Sequence, residues 1–111
     1  MDPLSAAERI LAAIRAIPRG ETAAYGVVAQ RAGLPGRARL VARLLSQNDD
    51  PTLPWHRVLR ADGRSAFPPG TPYHDEQLKR LRREGVALDA RGRARPAKPA
   101  KSIDEEVWGA P

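Results

Sequence analysis

Proline and glycine cut this chain into short pieces, and that punctuation limits its architecture more than any other feature. Pro18 and Gly20, then Gly33, Pro35 and Gly36, then Pro68, Pro69, Gly70 and Pro72, and finally Gly85 interrupt the apolar periodicity. Only short helices fit between these breaks. No apolar stretch approaches the roughly 20 residues of a membrane-spanning helix, and Met1 is followed by Asp2 and Pro3 instead of the basic and apolar regions of a secretory signal. With 111 residues and 41% hydrophobic content, one cytoplasmic domain with one modest core is expected.

Within that frame the periodicity predicts four helices. Ser5 and Glu8 have the spacing of a capping box, and Ile10, Leu11, Ile14 and Ile17 follow on one side, with Arg9 and Arg15 on flanks that can face solvent. Thr22 is the expected N-cap of a second helix carrying Tyr25, Val28 and Ala29, which stops at Gly33. Residues 37–47 predict a third, with Ala38, Val41, Ala42 and Leu45 on one face and Arg37, Arg39 and Arg43 largely off it. This pair reads as a helix-turn-helix, although other helical hairpins look the same. Val58–Leu59, a turn at Asp62–Gly63 and Ser65–Phe67 suggest a small β hairpin, or wing. A last helix resumes near His74, packs through Leu78 and Leu81, exposes Lys79, Arg80, Arg82 and Arg83, and ends at Gly85. The expected fold is mainly α with a small β hairpin, a winged-helix-like domain over residues 1–89. Residues 90–111 read as a basic, flexible tail in which Ile103, Val107 and Trp108 either dock on the body or stay loose.

Charge and chemistry narrow the function. The formal net charge is +6, and residues 1–48 hold seven arginines against Asp2, Glu8 and Glu21, an excess of four in the helix-turn-helix region. That excess favours a polyanionic partner through phosphate neutralisation. Cysteine is absent, which removes disulfides, thiolate metal sites and any cysteine nucleophile. His56 and His74 are the only histidines and belong to no metal-ligand motif, so no metal or other cofactor is expected.

Several ordered motifs then point to a family: Ile17–Gly20 (IPRG), Thr22–Gly26 (TAAYG), the Ala38–Val41 segment (ARLV), Pro54–Val58 (PWHRV), the Asp62–Gly63 turn and the Glu84–Gly85 pair. Over about residues 4–88 this set resembles the DNA-binding domain of the O6-alkylguanine-DNA alkyltransferases. Their active site reads PCHRV, and the form with tryptophan in place of the cysteine resembles the alkyltransferase-like group. The resemblance implies a non-enzymatic protein that binds duplex DNA containing alkylated guanine through the minor groove, flips the base and hands the lesion to nucleotide excision repair. The chemistry agrees, because an indole has no lone pair suited to attack on an alkyl carbon. Trp55 can instead line a pocket for an extruded base, its bland alternative being a core tryptophan.

The remaining roles are implied by the same resemblance. Arg39 corresponds to the arginine that fills the gap left by the base, and Tyr25 to the tyrosine that crowds the neighbouring phosphate, unless it simply anchors the first helices together. Gly36, Ala38 and Ala42 are small residues for close approach to the groove, and the backbone around Thr22 is a candidate phosphate contact. Pro54, Val58 and Phe67 join Trp55 as expected pocket residues, with Phe67 either enclosing the adduct or packing under the hairpin. His56, Arg57 and Glu84 are assigned structural support. Arg37, Arg43 and Arg60 are further phosphate candidates by charge. Beyond Gly63 the chain departs from the family's Gly- and Ser-containing loop, carrying Ser65-Ala66-Phe67-Pro68-Pro69-Gly70, so the pocket rim is not transferable. A monomer in the cytoplasm, associated with the nucleoid when bound, is expected. The alternative is a winged-helix transcriptional regulator without lesion selectivity, which leaves PWHRV unexplained. A residual enzyme based on His56 and Glu84 lacks a nucleophile or metal.

Overall fold

The computed structural model describes residues 5–94. Four helices, α1 (Ala6–Arg15), α2 (Tyr25–Arg31), α3 (Ala38–Ser46) and α4 (Pro72–Arg83), accompany two short strands, β1 (Ala23–Ala24) and β2 (Val58–Leu59). A 3₁₀ turn, Trp55–Arg57, leads directly into β2.

The capping box at the start of α1 is formed as its spacing predicts. Ser5 Oγ accepts from the Glu8 N–H at 3.1 Å, and the Glu8 carboxylate accepts from the Ser5 N–H at 3.4 Å. Ile10 and Ile14 point into the core with Ile17 just beyond the helix, all fully buried, each contributing roughly 1.5–3 kcal/mol. Arg9 does not face solvent as expected. Its guanidinium donates to Ala32 O at 3.0 Å and Gly33 O at 3.3 Å, capping carbonyls at the negative end of α2.

The N-terminus of α2 also departs from expectation. Thr22 is not the cap: Ala24 occupies that position without a side-chain hydrogen bond, because Ala23 and Ala24 are drawn into β1. The other end closes at Gly33, whose φ of 78° suits glycine. Its N–H reaches Gln30 O at 2.9 Å and the Leu34 N–H reaches Ala29 O at 2.8 Å, the paired bonds that stop a helix. After a six-residue connection α3 packs on α2 through buried Val41 and the half-buried Leu44 and Leu45.

β1 and β2 are parallel, with Ala23 opposite Val58 and Ala24 opposite Leu59, so α2 and α3 lie on the crossover between them. The expected hairpin partner of β2 is therefore replaced. The turn itself is present, closed by Arg60 N–H to Arg64 O at 2.8 Å and Gly63 N–H to Arg60 O at 2.9 Å. Residues 65–67 form no strand: the Phe67 N–H turns back to the Ser65 hydroxyl at 3.1 Å, and that hydroxyl donates to Gln77. A small antiparallel hairpin occurs one step later, where Leu88 bridges Ala94 around Asp89–Arg93. The mainly helical class with a small β hairpin thus stands, built from a different segment.

That hairpin moves the edge of the body. Ala94 is buried, packs with Leu59 and Leu81, and donates its N–H to Gly63 O at 2.9 Å. Packing therefore continues past residue 89 through Ala94, because the Asp89 carboxylate binds the N–H groups of Arg91 and Arg93 and folds the chain back. The expected tail beyond Ala94, with Ile103, Val107 and Trp108, lies outside the described residues.

Gly63 and Gly70 both have positive φ, at 84° and 88°. A Cβ on Gly63 would fall 2.4 Å from Ala94 O, whereas one on Gly70 meets nothing within 4 Å. Gly70→Ala is expected to cost about 1 kcal/mol of backbone strain, and Gly63→Ala distinctly more because the 88–94 hairpin must move. Urea unfolding of the two variants checks this, and equal midpoints would show that the hairpin does not rest on Gly63.

Candidate nucleic-acid interface

The 3₁₀ turn holds Trp55 at the wall of a cavity of about 550 Å³. The ring is half-buried and is not a member of either buried cluster, so the core alternative does not hold. Phe67 meets it edge-on at 5.9 Å and Tyr73 at 6.2 Å, while Phe67 and Tyr73 stack on each other at 5.3 Å. The Arg80 guanidinium lies over the indole at 5.4 Å, a cation on an aromatic face, and is itself held by Glu76 at 2.7 Å one helical turn earlier. Tyr25 at the start of α2 and Ala42, Leu45 and Ser46 on α3 complete the opposite wall. Burial raises the Tyr25 phenol above its ordinary value, so it stays protonated at neutral pH.

Two elements fix this arrangement from behind. Gln77, almost wholly buried on α4, donates to His56 O at 3.2 Å and Val58 O at 3.0 Å, and its carbonyl accepts from the Ser65 hydroxyl. One side chain thereby clamps the backbone on both sides of Arg57 and the loop that carries Phe67. The loop opposite is set by Asp50, which accepts from Thr52 N–H at 2.9 Å and from Arg15 at 3.2 Å.

The second fixture is a buried charge network. Glu84, at the C-cap of α4, receives Arg57 in a forked contact, Nε to Oε1 at 3.0 Å and Nη2 to Oε2 at 2.8 Å. The third arm of Arg57 donates to Ile17 O at 2.8 Å, at the end of the α1 segment. His56 Nε2 lies 2.9 Å from Glu84 Oε2. The hydrogen bond from Arg57, aided by that from His56, holds the Glu84 carboxyl down at about 2. Burial lowers His56 despite its carboxylate neighbour, so the ring is neutral at pH 7 and Nε2 carries the proton that Glu84 accepts. His56 Nδ1 is then a bare acceptor, buried and without a hydrogen-bond partner among the described residues.

The residues expected from the sequence fall into three groups. Trp55, Phe67, Tyr25 and Ala42 share the cavity, and His56, Arg57 and Glu84 form the network behind it. Gly36, Arg39, Ala42 and Arg43 are exposed, Arg39 and Arg43 one turn apart on α3, while Ala38 is half-buried. Arg39 makes no hydrogen bond or ion pair among the described residues, and a Cβ on Gly36 would meet nothing within 4 Å. Two pocket assignments are corrected. Val58 is 1% exposed, turned into the core by its pairing with Ala23, and Pro54 caps the 3₁₀ turn without lining the cavity. Thr22 and Arg60 line a second cavity instead. Tyr73, Gln77 and Arg80 were missed. A polar residue four before Leu81, on the buried stripe of α4, is the signal that marks Gln77.

A depressed carboxylate stabilises the fold above its unfolded value near 4.3 and loses that contribution as pH falls toward 2. A lowered histidine works in the same direction, its share fading below about 6.5. Urea midpoints are therefore expected to decline gently below pH 6 and steeply below pH 4. Glu84→Gln should cost on the order of 3 kcal/mol at pH 7, by leaving Arg57 half-paired, and flatten the steep limb. An unchanged midpoint at neutral pH would show that the network adds nothing to stability.

Comparison with known proteins identifies the family. Residues 5–86 match the family described as "6-O-methylguanine DNA methyltransferase, DNA binding domain". A "DNA base-flipping protein" of Vibrio parahaemolyticus is 35% identical over 86 residues, covering 77% of this chain and 84% of its own. A methylated-DNA–protein-cysteine methyltransferase of Methanothermobacter thermautotrophicus is 42% identical over 82 residues, 73% of this chain but only 44% of its own. Thus the chain spans about half the length of that enzyme. The crystal structure of Schizosaccharomyces pombe Atl1 with damaged DNA containing O6-carboxymethylguanine superposes with a TM-score of 0.70 at 26% identity, covering 90% of this chain and 95% of that one. The chain belongs to the DNA-binding-domain family of the 6-O-methylguanine DNA methyltransferases, as a non-catalytic, alkyltransferase-like member with Trp55 in the PCHRV cysteine position and no cysteine elsewhere.

Proposed function

We propose that this protein binds duplex DNA through the exposed face of α3, turns an O6-alkylguanine out of the stack and holds it in the cavity beside Trp55 without chemistry. The observation that carries this reading is the position of the cavity. It opens between Tyr25 and Ala42 on the helix-turn-helix side and the Trp55, Phe67 and Tyr73 rings on the other, so a base leaving the duplex at α3 has an aromatic wall to enter. Flipping costs a few kcal/mol, and stacking on aromatic rings returns roughly 1–3 kcal/mol per base. Arg39, exposed one turn from Arg43, fills the vacated stack and contacts the orphaned base. Gly36, Ala38 and Ala42 permit the groove to approach, reading little sequence. Arg37 and Arg43 add phosphate contacts.

Retention without transfer follows from the side chain at position 55. Transfer of the alkyl group needs an electron pair on the acceptor. The indole keeps its nitrogen pair in the ring, and His56, whose Nδ1 retains a free pair, is buried and does not line the cavity. The bound lesion is a long-lived marker that a nucleotide excision pathway then removes, a handover supported by the family resemblance. A monomer suffices for one lesion, and the protein acts in the cytoplasm on nucleoid DNA. A base-flipping relative and a related protein bound to DNA containing O6-carboxymethylguanine support the same reading.

Equilibrium binding at one fixed salt concentration to duplexes differing only in guanine or O6-methylguanine, followed by assay of retained methyl groups, tests it. Tighter binding to the lesion with every methyl retained is expected, and methyl loss or equal affinity would overturn it. Arg39→Ala should weaken lesion binding about tenfold or more with an unchanged melting profile. Tyr73→Ala should reduce discrimination between lesion and guanine while leaving weak binding to undamaged duplex in place.

A further inference from the structure

On the far side of β1 and β2 lies a second cavity, of about 610 Å³, that the lesion reading does not use. Val27 gives it an exposed apolar wall over the buried Ala23 and Leu59, and Arg31, Arg60 and Arg93 give it positive charge. Val27 is one of two exposed large hydrophobic residues among the described residues, at 36%. The other, Tyr73, belongs to the Trp55 cavity. Arg93 is paired with Asp89 at 3.1 Å, and Asp62 faces Arg64. The Arg31 and Arg60 side chains make no ion pair or hydrogen bond among the described residues. An apolar patch flanked by two unneutralised guanidinium groups fits a ligand that is both acidic and apolar.

The chain carries such a segment at its end. Ile103-Asp104-Glu105-Glu106-Val107-Trp108 places three consecutive carboxylates between apolar residues, in a protein otherwise rich in arginine. Ala94, the last described residue, itself lines this cavity. The eight intervening residues, Arg95 to Ser102, include Pro96 and Pro99 and reach up to about 26–29 Å when extended. That is enough to return to the cavity from its own rim. We propose that Ile103–Trp108 docks in the second cavity of the same molecule, its apolar residues against Val27 and the carboxylates against Arg31 and Arg60. Tethering makes the contact effectively concentrated, so modest affinity suffices. This proposal is independent of lesion recognition.

The absence of cysteine supplies the test. Gly109→Cys, in the full chain labelled with a nitroxide, gives one paramagnetic centre beside Trp108. Amide signals of Val27, Arg31 and residues 59–63 are expected to lose most of their intensity at low salt. They should recover when Glu105→Lys and Glu106→Lys are added, or when salt shortens the screening length from about 10 Å toward 3 Å. Broadening confined to residues 89–94 would overturn the proposal by showing a free tail, and broadening around Trp55 would place the segment elsewhere. Broadening of an isotope-labelled chain by a separate nitroxide-bearing chain, without the intramolecular effect, would assign the cavity to a second copy. No tail effect, with Arg31 and Arg60 shifting only on addition of undamaged duplex, would assign it to DNA phosphate.

Discussion

The Glu84 carboxylate gathers parts of the chain that lie far apart in sequence. Through Arg57 it reaches the 3₁₀ turn and, by the third guanidinium arm, the carbonyl of Ile17. Glu84 also ends α4, its N–H reaching Arg80 O at 3.1 Å while the Gly85 N–H to Arg82 O and Val86 N–H to Leu81 O bonds close the helix. Charges this buried are costly unless they are paired and hydrogen-bonded, and here two bonds from Arg57 and one from His56 reach the carboxylate. The cavity depends on this knot. Trp55 lies one residue before His56 and two before Arg57, so the backbone that aims the indole is held immediately downstream by the network and by Gln77.

The same network explains how a site can change its chemistry without changing its frame. In an enzyme with cysteine at position 55, the neighbouring histidine and glutamate would help to form a thiolate. In this chain the histidine is neutral and the carboxylate ionised, and both are bound to structural partners. The tryptophan substitution therefore removes the nucleophile while the supporting bonds persist, and a reactive pocket becomes an aromatic one.

Much of this was legible in the residues. The capping box at Ser5, the apolar spacing from Ile10 to Ile17 and the glycine stop at Gly33 each encode a local choice that packing does not override. The ordered motifs located Trp55, Arg57 and Glu84 together, although 27 residues separate the last two. What was not legible depends on competition between distant groups. Ala23–Ala24 has little strand character, and only the arrival of Val58–Leu59 makes it one and displaces the cap from Thr22 to Ala24. Val58 follows the pocket residue so closely that it reads as pocket, yet strand geometry turns it inward. Ser65 belongs to an expected strand, yet its hydroxyl takes the Phe67 N–H that a strand partner would need. Arg9 looks like a solvent charge because the carbonyls it caps come from another helix.

The two-residue sheet has a consequence for how such a domain can diversify. Tyr25 follows β1 immediately and Trp55 precedes β2 by three residues, so the two walls of the cavity are hinged on the same pair of backbone ladders. Between them run backbone hydrogen bonds that no side chain contributes, in addition to the bonds made by Gln77 and Arg57. Substitutions at Trp55, Phe67 or Tyr73 can therefore reshape what the cavity accepts while its distance from α3 stays constant, as interchangeable jaws do on a fixed caliper.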